Sequence, residues 1–194
     1  MKTLGFTAQD IENVIPNAPR VFNSSLEKTF FPNIQYLQNL FGSEANISNV
    51  FKWAPHLLAK SNGPDIFEKK LKHLVSFGLL EDEIKELVRR HPQILYVSMD
   101  KVQKSMNFFM RTARLPPKFL LSHPNLVSFY SLESRIKPRH KVLSAVSALQ
   151  PFKRPPSLIT ALYLAEQKFL EKYVHCSHHA TKLLEIYRGK SVLF

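Results

Sequence analysis

The chain has 194 residues, 44% of them apolar and 22% charged, which is enough for a buried core and too apolar for a fully disordered polymer. Five glycines argue against a glycine-rich sandwich, and a single cysteine excludes a disulfide framework. The net charge is +12, and no run approaches the ~20 continuous apolar residues of a membrane-spanning helix.

The charge is unevenly placed. Residues 1–100 carry 11 basic and 11 acidic side chains, whereas residues 101–194 carry 16 basic and only 4 acidic ones. An excess confined to one half points to a polyanion, most often nucleic acid.

In chain order, four similar units open the sequence, at about 4–39, 40–76, 77–114 and 115–150. In the first three an isoleucine precedes a proline by eight residues: Ile11 and Pro19, Ile47 and Pro55, Ile84 and Pro92. The fourth unit is shorter and has Pro124, so the prolines lie 36, 37 and 32 residues apart. One variable residue and two apolar ones follow each proline: Val21-Phe22, Leu57-Leu58, Ile94-Leu95, Leu126-Val127. Three units then carry Ser25-Leu26-Glu27, Ser98-Met99-Asp100 and Ser131-Leu132-Glu133, while the second has Ser61-Asn62-Gly63-Pro64 instead.

Each unit reads as helices. Ile84, Leu87 and Val88 share one helical face, with Glu81, Asp82 and Glu83 in the first turn and Arg89 and Arg90 in the last. Thr7 and Ser43 are placed as N-caps of the equivalent helices. The repeated proline ends this first helix and opens a short turn whose two apolar residues plug the core. A second long helix follows the serine, as in 101–112 and 132–149. Pro32 and Pro138 fall inside that pattern, so those helices kink or begin there.

The last segment, 151–194, leaves the period. Leu158, Leu162, Ala165, Phe169 and Tyr173 recur at helical spacing, and a final helix over about 179–187 stops before Gly189. The expected fold is an all-α helical-repeat solenoid over 1–150 with an atypical C-terminal helical cap over 151–194. Met1 opens almost directly on a repeat, which predicts that upstream units are missing from a longer array.

With its Pro-x-apolar-apolar and Ser-Leu-Glu units, the chain resembles the mitochondrial transcription termination factor family. The stretches from Phe129 to Leu143, Lys168 to Val174 and Leu184 to Lys190 are similar to its large land-plant branch. The resemblance implies a helical superhelix with a basic groove and a partner in double-stranded DNA. It also implies a role in transcription termination or regulation and a location in mitochondrion or chloroplast, although the chain shows no transit peptide. Such a chain is expected to act as a monomer on nucleic acid.

Cationic side chains name the candidate interface, since they displace counterions from phosphates. Arg135, Lys137, Arg139 and Lys141 form the densest cluster, Arg111, Arg114 and Lys118 sit before the fourth unit, and Lys153 and Arg154 precede the cap. His175, Cys176, His178 and His179 are too crowded for a tetrahedral metal site, so no metal or cofactor is expected. Trp53 and most of the 15 phenylalanines read as core rather than as base-stacking platforms. No phosphate loop, nucleophile elbow or zinc-protease motif is present, and an enzyme is not expected. The alternatives are an RNA-binding factor in organellar splicing or ribosomal RNA maturation, and a protein-interaction scaffold with an acidic partner.

Overall fold

The computed structural model describes residues 18–41, 52–149 and 156–190, with Glu12 and Val50 besides. Thr7, Ile11, Ser43 and Ile47, and with them the first helices of the first two units, lie outside the described residues. All regular structure among the described residues is helical. By packing, the chain divides into two compact units, 1–128 and 129–194.

Unit 1 holds α1 (Arg20–Asn23), α2 (Phe31–Phe41), α3 (Gly63–Val75), α4 (Glu81–Arg90), α5 (Met99–Asn107), α6 (Phe119–Ser122) and α7 (Asn125–Ser128). Each repeat proline does what its chemistry demands. Helix α4 stops at Arg90, and Pro92 opens the 3-10 turn Pro92–Leu95, as Pro55 opens Pro55–Leu57. Apolar residues that follow the prolines are fully buried, with Leu57, Leu58, Ile94, Leu126 and Val127 all at 0% exposure. These short segments pack on one another: α1 meets Pro55–Leu57, the His56 and Tyr96 rings lie 4.0 Å apart, and Pro92–Leu95 meets α7.

The serine of the Ser-apolar-acid motif is an N-cap. The Ser25, Ser98 and Ser131 hydroxyls accept the backbone N–H groups of Lys28, Lys101 and Ser134 at 3.2, 3.2 and 3.1 Å. The acid beside each cap lies in the first turn, at the positive end of the helix dipole. Where a proline stands seven residues after the serine, the helix opens with a five-residue π turn, Leu26–Phe30 before Pro32 and Leu132–Ile136 before Pro138. Ser105 stands in that place in the third unit, and α5 there is regular from Met99. A proline ring clashes with the carbonyl four residues back, and the wider turn moves that carbonyl aside.

Unit 2 contains that second π turn, α8 (Lys137–Leu149), α9 (Leu158–Tyr163), α10 (Glu166–Leu170) and α11 (Ala180–Tyr187). Val142, Val146, Phe169, Val174, Leu183 and Ile186 form its core, and α8 packs on α11. This packing joins α8 to the C-terminal helices, so the compact-unit boundary falls at 128/129, inside the fourth repeat. The periodic run 158–173 is broken at Leu164 and Ala165, whose backbones are extended at ψ 144 and 155. Gly189 takes φ +73 just after α11 and ends it.

One buried device recurs along the chain: a polar side chain on the second helix of a repeat donates to carbonyls at the end of the next short helix. Asn33 Nδ2 reaches the Leu57, Leu58 and Lys60 oxygens at 3.0, 3.0 and 2.9 Å. Lys70 Nζ lies 2.5 Å from the Leu95 oxygen and also donates to that of Val97. Lys101 Nζ donates to the Ser128 oxygen at 2.9 Å. Buried carbonyls need such partners, and helix ends leave several of them unmet. Gly63 is part of the fit, because an added Cβ would lie 2.1 Å from Asn33 Oδ1.

Lys70 is 3% exposed, and burial, helped by the nearby Lys60 charge, holds its ammonium down to about 8. A depressed folded value favours the neutral amine. Its stabilising contribution is therefore complete above the ordinary lysine value near 10.5 and is lost as pH falls through 8. Urea unfolding of the wild-type chain should show up to about 3 kcal/mol of added stability between pH 8 and 10.5 that Lys70→Met lacks. Parallel pH profiles for the two proteins would show that Lys70 titrates as an exposed lysine.

Candidate nucleic-acid interface

The nine cations singled out by sequence fall into different environments. Arg111 lies in the π turn Phe108–Thr112, and Arg114 follows it; both are exposed, and neither has an ion-pair partner among the described residues. In the neutral stretch before them several cations are paired. There Lys72 pairs with Glu68 at 2.6 Å, Lys85 with Asp82 at 3.4 Å and Arg89 with Glu86 at 2.6 Å. Arg114 also sits at φ +55, whereas the turn leaving α3 uses Gly78 at φ +90. An arginine there carries strain of about 1 kcal/mol that glycine would avoid.

Lys118 is exposed but committed. Its ammonium lies 2.7 Å from Glu83, on α4, and that hydrogen bond is the main reason the Glu83 carboxyl lies below the usual carboxylate range. Glu83 also accepts the Leu80 N–H at 3.0 Å, so one carboxylate caps α4 and tethers the segment before α6.

In unit 2 the dense cluster splits. Lys137 pairs with Glu133 one helical turn earlier at 2.6 Å, and Lys141 is exposed without an acidic partner among the described residues. Arg135 is half-buried; its Nε and Nη2 donate to the Leu162 oxygen at 3.1 Å, and Nη2 to the Leu164 oxygen at 2.7 Å. Its guanidinium stacks on the Tyr130 ring, 4.3 Å from the centroid.

Arg139 corrects the sequence expectation. It is 1% exposed, donates to the Ala161, Leu162 and Leu164 oxygens at 2.8, 3.3 and 2.6 Å, and lies 4.6 Å above the Phe169 ring. Its donors face buried carbonyls, with the Tyr187 hydroxyl and the Glu166 charge also acting on it, so it is not the freely exposed cation that the sequence predicts. Burial first, then the Arg135 charge, lowers its pKa from the ordinary guanidinium value. Lys153 and Arg154 lie outside the described residues.

Sequence reasoning missed the carbonyl-capping donors, although a signal existed. Asn33 and Arg139 each stand eight residues after an N-cap serine, Ser25 and Ser131, and Lys70 stands eight after Asn62. It also passed over Arg188 and Lys190, exposed cations just beyond α11. Cys176 is exposed, with its Sγ 2.8 Å from the Lys172 oxygen, and the described residues gather no metal-binding group.

A family model described as mTERF matches residues 1–170. The chain belongs to the mTERF family. Two relatives from Arabidopsis thaliana lie within reach. "Transcription termination factor MTERF2, chloroplastic" is 29% identical over 101 residues, 52% of this chain and 15% of that protein. "Transcription termination factor MTERF4, chloroplastic" is 27% identical over 96 residues, 50% of this chain and 17% of that protein. The matched stretch thus spans less than a fifth of either relative. The buried proline-led turns and capped second helices of this chain are therefore mTERF repeats, in an all-α helical-repeat fold. No helix among the described residues is long and apolar enough to cross a membrane.

Proposed function

We propose that this mTERF chain is a nucleic-acid-binding regulator of organellar transcription that acts by occupying double-stranded DNA. The family and the names of its two chloroplastic relatives support the organellar and transcriptional parts of the reading. The observation that carries the binding part is the excess of exposed cations in the acid-poor half of the chain, residues 101–194, among them Arg111 and Arg114 in unit 1 and Lys141 and Arg188 in unit 2, none with an acidic partner among the described residues. Arginine and lysine so placed exchange counterions for phosphates, and such contacts position a duplex without reading its sequence.

Salt titration tests it. Taking ~5 phosphate contacts, log Kobs for duplex DNA should fall with log salt at a slope of about −4.5. Arg111→Glu with Arg114→Glu should flatten the slope to about −3 and weaken binding to all sequences alike. Lys28→Glu with Lys69→Glu reverses two exposed charges in the same unit and should leave the slope near its original value. Equal losses in the two double variants would reduce the effect to general attraction. Tighter binding to a matched RNA at the same salt would move the reading to RNA.

A further inference from the structure

Capping does not account for everything around the two unit 2 arginines. A cavity of about 330 Å³ lies among Phe129, Tyr130, Ser134, Arg135, Arg139 and Tyr187. That is within the range of small-ligand sites, roughly 300 Å³ and upward. Arg135 and Arg139 both line it, and the single acid that joins the lining, Glu166, is exposed. Arg139, almost wholly buried, keeps its Nε without a hydrogen-bond partner. The Tyr187 hydroxyl and the Glu166 charge act on the Arg139 guanidinium without meeting that Nε, and a buried donor left unmet beside a second cation favours an anion that answers both.

The surroundings narrow the anion. Phe129 lines the cavity with its ring 60% exposed, leaving an aromatic surface for a planar group. A second cavity of about 290 Å³ adjoins the first, sharing Ser134 and Tyr187, and adds Lys137, Lys141 and Arg188. Lys137 is answered by Glu133, while Lys141 and Arg188 have no acidic partner among the described residues. A simple carboxylate would use the guanidiniums and leave the ring and the second cavity idle. A nucleotide uses all three. A phosphomonoester can carry two charges and so match two guanidiniums, whereas an internal phosphodiester carries one.

We propose that this cavity binds the terminal phosphomonoester of a nucleotide, with the phosphate on Arg135 and Arg139 and the base against Phe129. On a strand, the following phosphates lie over Lys141 and Arg188. The proposal rests on the reading that the chain binds nucleic acid, and deepens it by naming a strand end.

Single-stranded hexanucleotides with a 5′-phosphate or a 5′-hydroxyl, labelled at the 3′ end, test it by fluorescence anisotropy, with AMP in a thermal-shift arm. The 5′-phosphorylated strand should bind about tenfold more tightly than its hydroxyl counterpart, the scale of one charged hydrogen-bonded contact. AMP should raise the melting temperature. If AMP alone binds and the strand adds no affinity, the site stands and its source is a free nucleotide. Ser134→Glu places a carboxylate between the two cavities, three residues after the Ser131 cap, where an acid suits the helix. This variant should remain folded and lose the 5′-phosphate preference and the AMP response together. A hydroxyl-ended duplex measured alongside reports phosphate-backbone binding alone. Equal affinity for both strand ends, with no AMP shift, in a protein that still binds that duplex overturns the site and leaves the proposed function intact.

Discussion

Arg139→Ala should lower the unfolding free energy by about 3–5 kcal/mol, the largest single effect expected outside the apolar core. The guanidinium serves the carbonyls of Ala161, Leu162 and Leu164, where α9 ends and the chain turns into α10. Truncation leaves these acceptors without their donor and opens a void above Phe169, which is 0% exposed. Arg135 can retain its own bonds to Leu162 and Leu164, but it does not reach Ala161 in the same way. Arg139→Lys keeps the charge but exchanges a planar fork for a point donor, so it should recover only part of the loss. Urea unfolding with the slope monitored measures both. A loss below about 1 kcal/mol for the alanine variant would show that water replaces the guanidinium and that its burial is incidental.

The same residue shows what was legible in the sequence and what was not. The proline period, the apolar pairs behind it and the serine caps were readable because each is set by contacts within a few residues. Pro92 ends α4 whatever surrounds it, and Ser131 caps the turn that follows it. Sequence alone places Arg139 on the surface, because a count of charges along the chain cannot distinguish a cation facing water from one facing carbonyls. Its partners lie 22, 23 and 25 residues downstream. Lys118 is the converse case, with a partner, Glu83, one repeat back. Helix breaks follow the same division. The π turn before Pro138 has a local cause in the ring, whereas the break at Leu164 and Ala165 coincides with carbonyls taken up by two arginines from another helix. The register of Asn33, Lys70 and Arg139 was visible all along, but only a buried position gives it meaning.

The repeat frame itself is tested at Ile84, where alanine should cost about 2–5 kcal/mol. Ile84 is 1% exposed on α4, on the face it shares with Leu87 and Val88, at 3% and 0%. Helix α4 packs against both α2 and α3, so the side chain stands where three helices meet. A cavity of about 210 Å³ already lies there, bounded by Leu40, Leu71, Val75 and Ile84. Two effects compete. The existing space removes some contacts the isoleucine would otherwise lose, which favours the lower end of the range. Yet helices capped by Glu83 and held by Asn33 and Lys70 cannot close readily on a larger void, which favours the upper end. The second effect should dominate, since a cavity costs more when its walls do not collapse. Ile84→Val removes one methylene and should cost only about 0.5–1.5 kcal/mol. In a repeat fold, stability sums over nearest neighbours, so the alanine variant should also speed amide exchange in α3 and α4 more than in α8. A change within about 0.5 kcal/mol, as for an exposed surface site, would mean that Ile84 does not hold the repeats together.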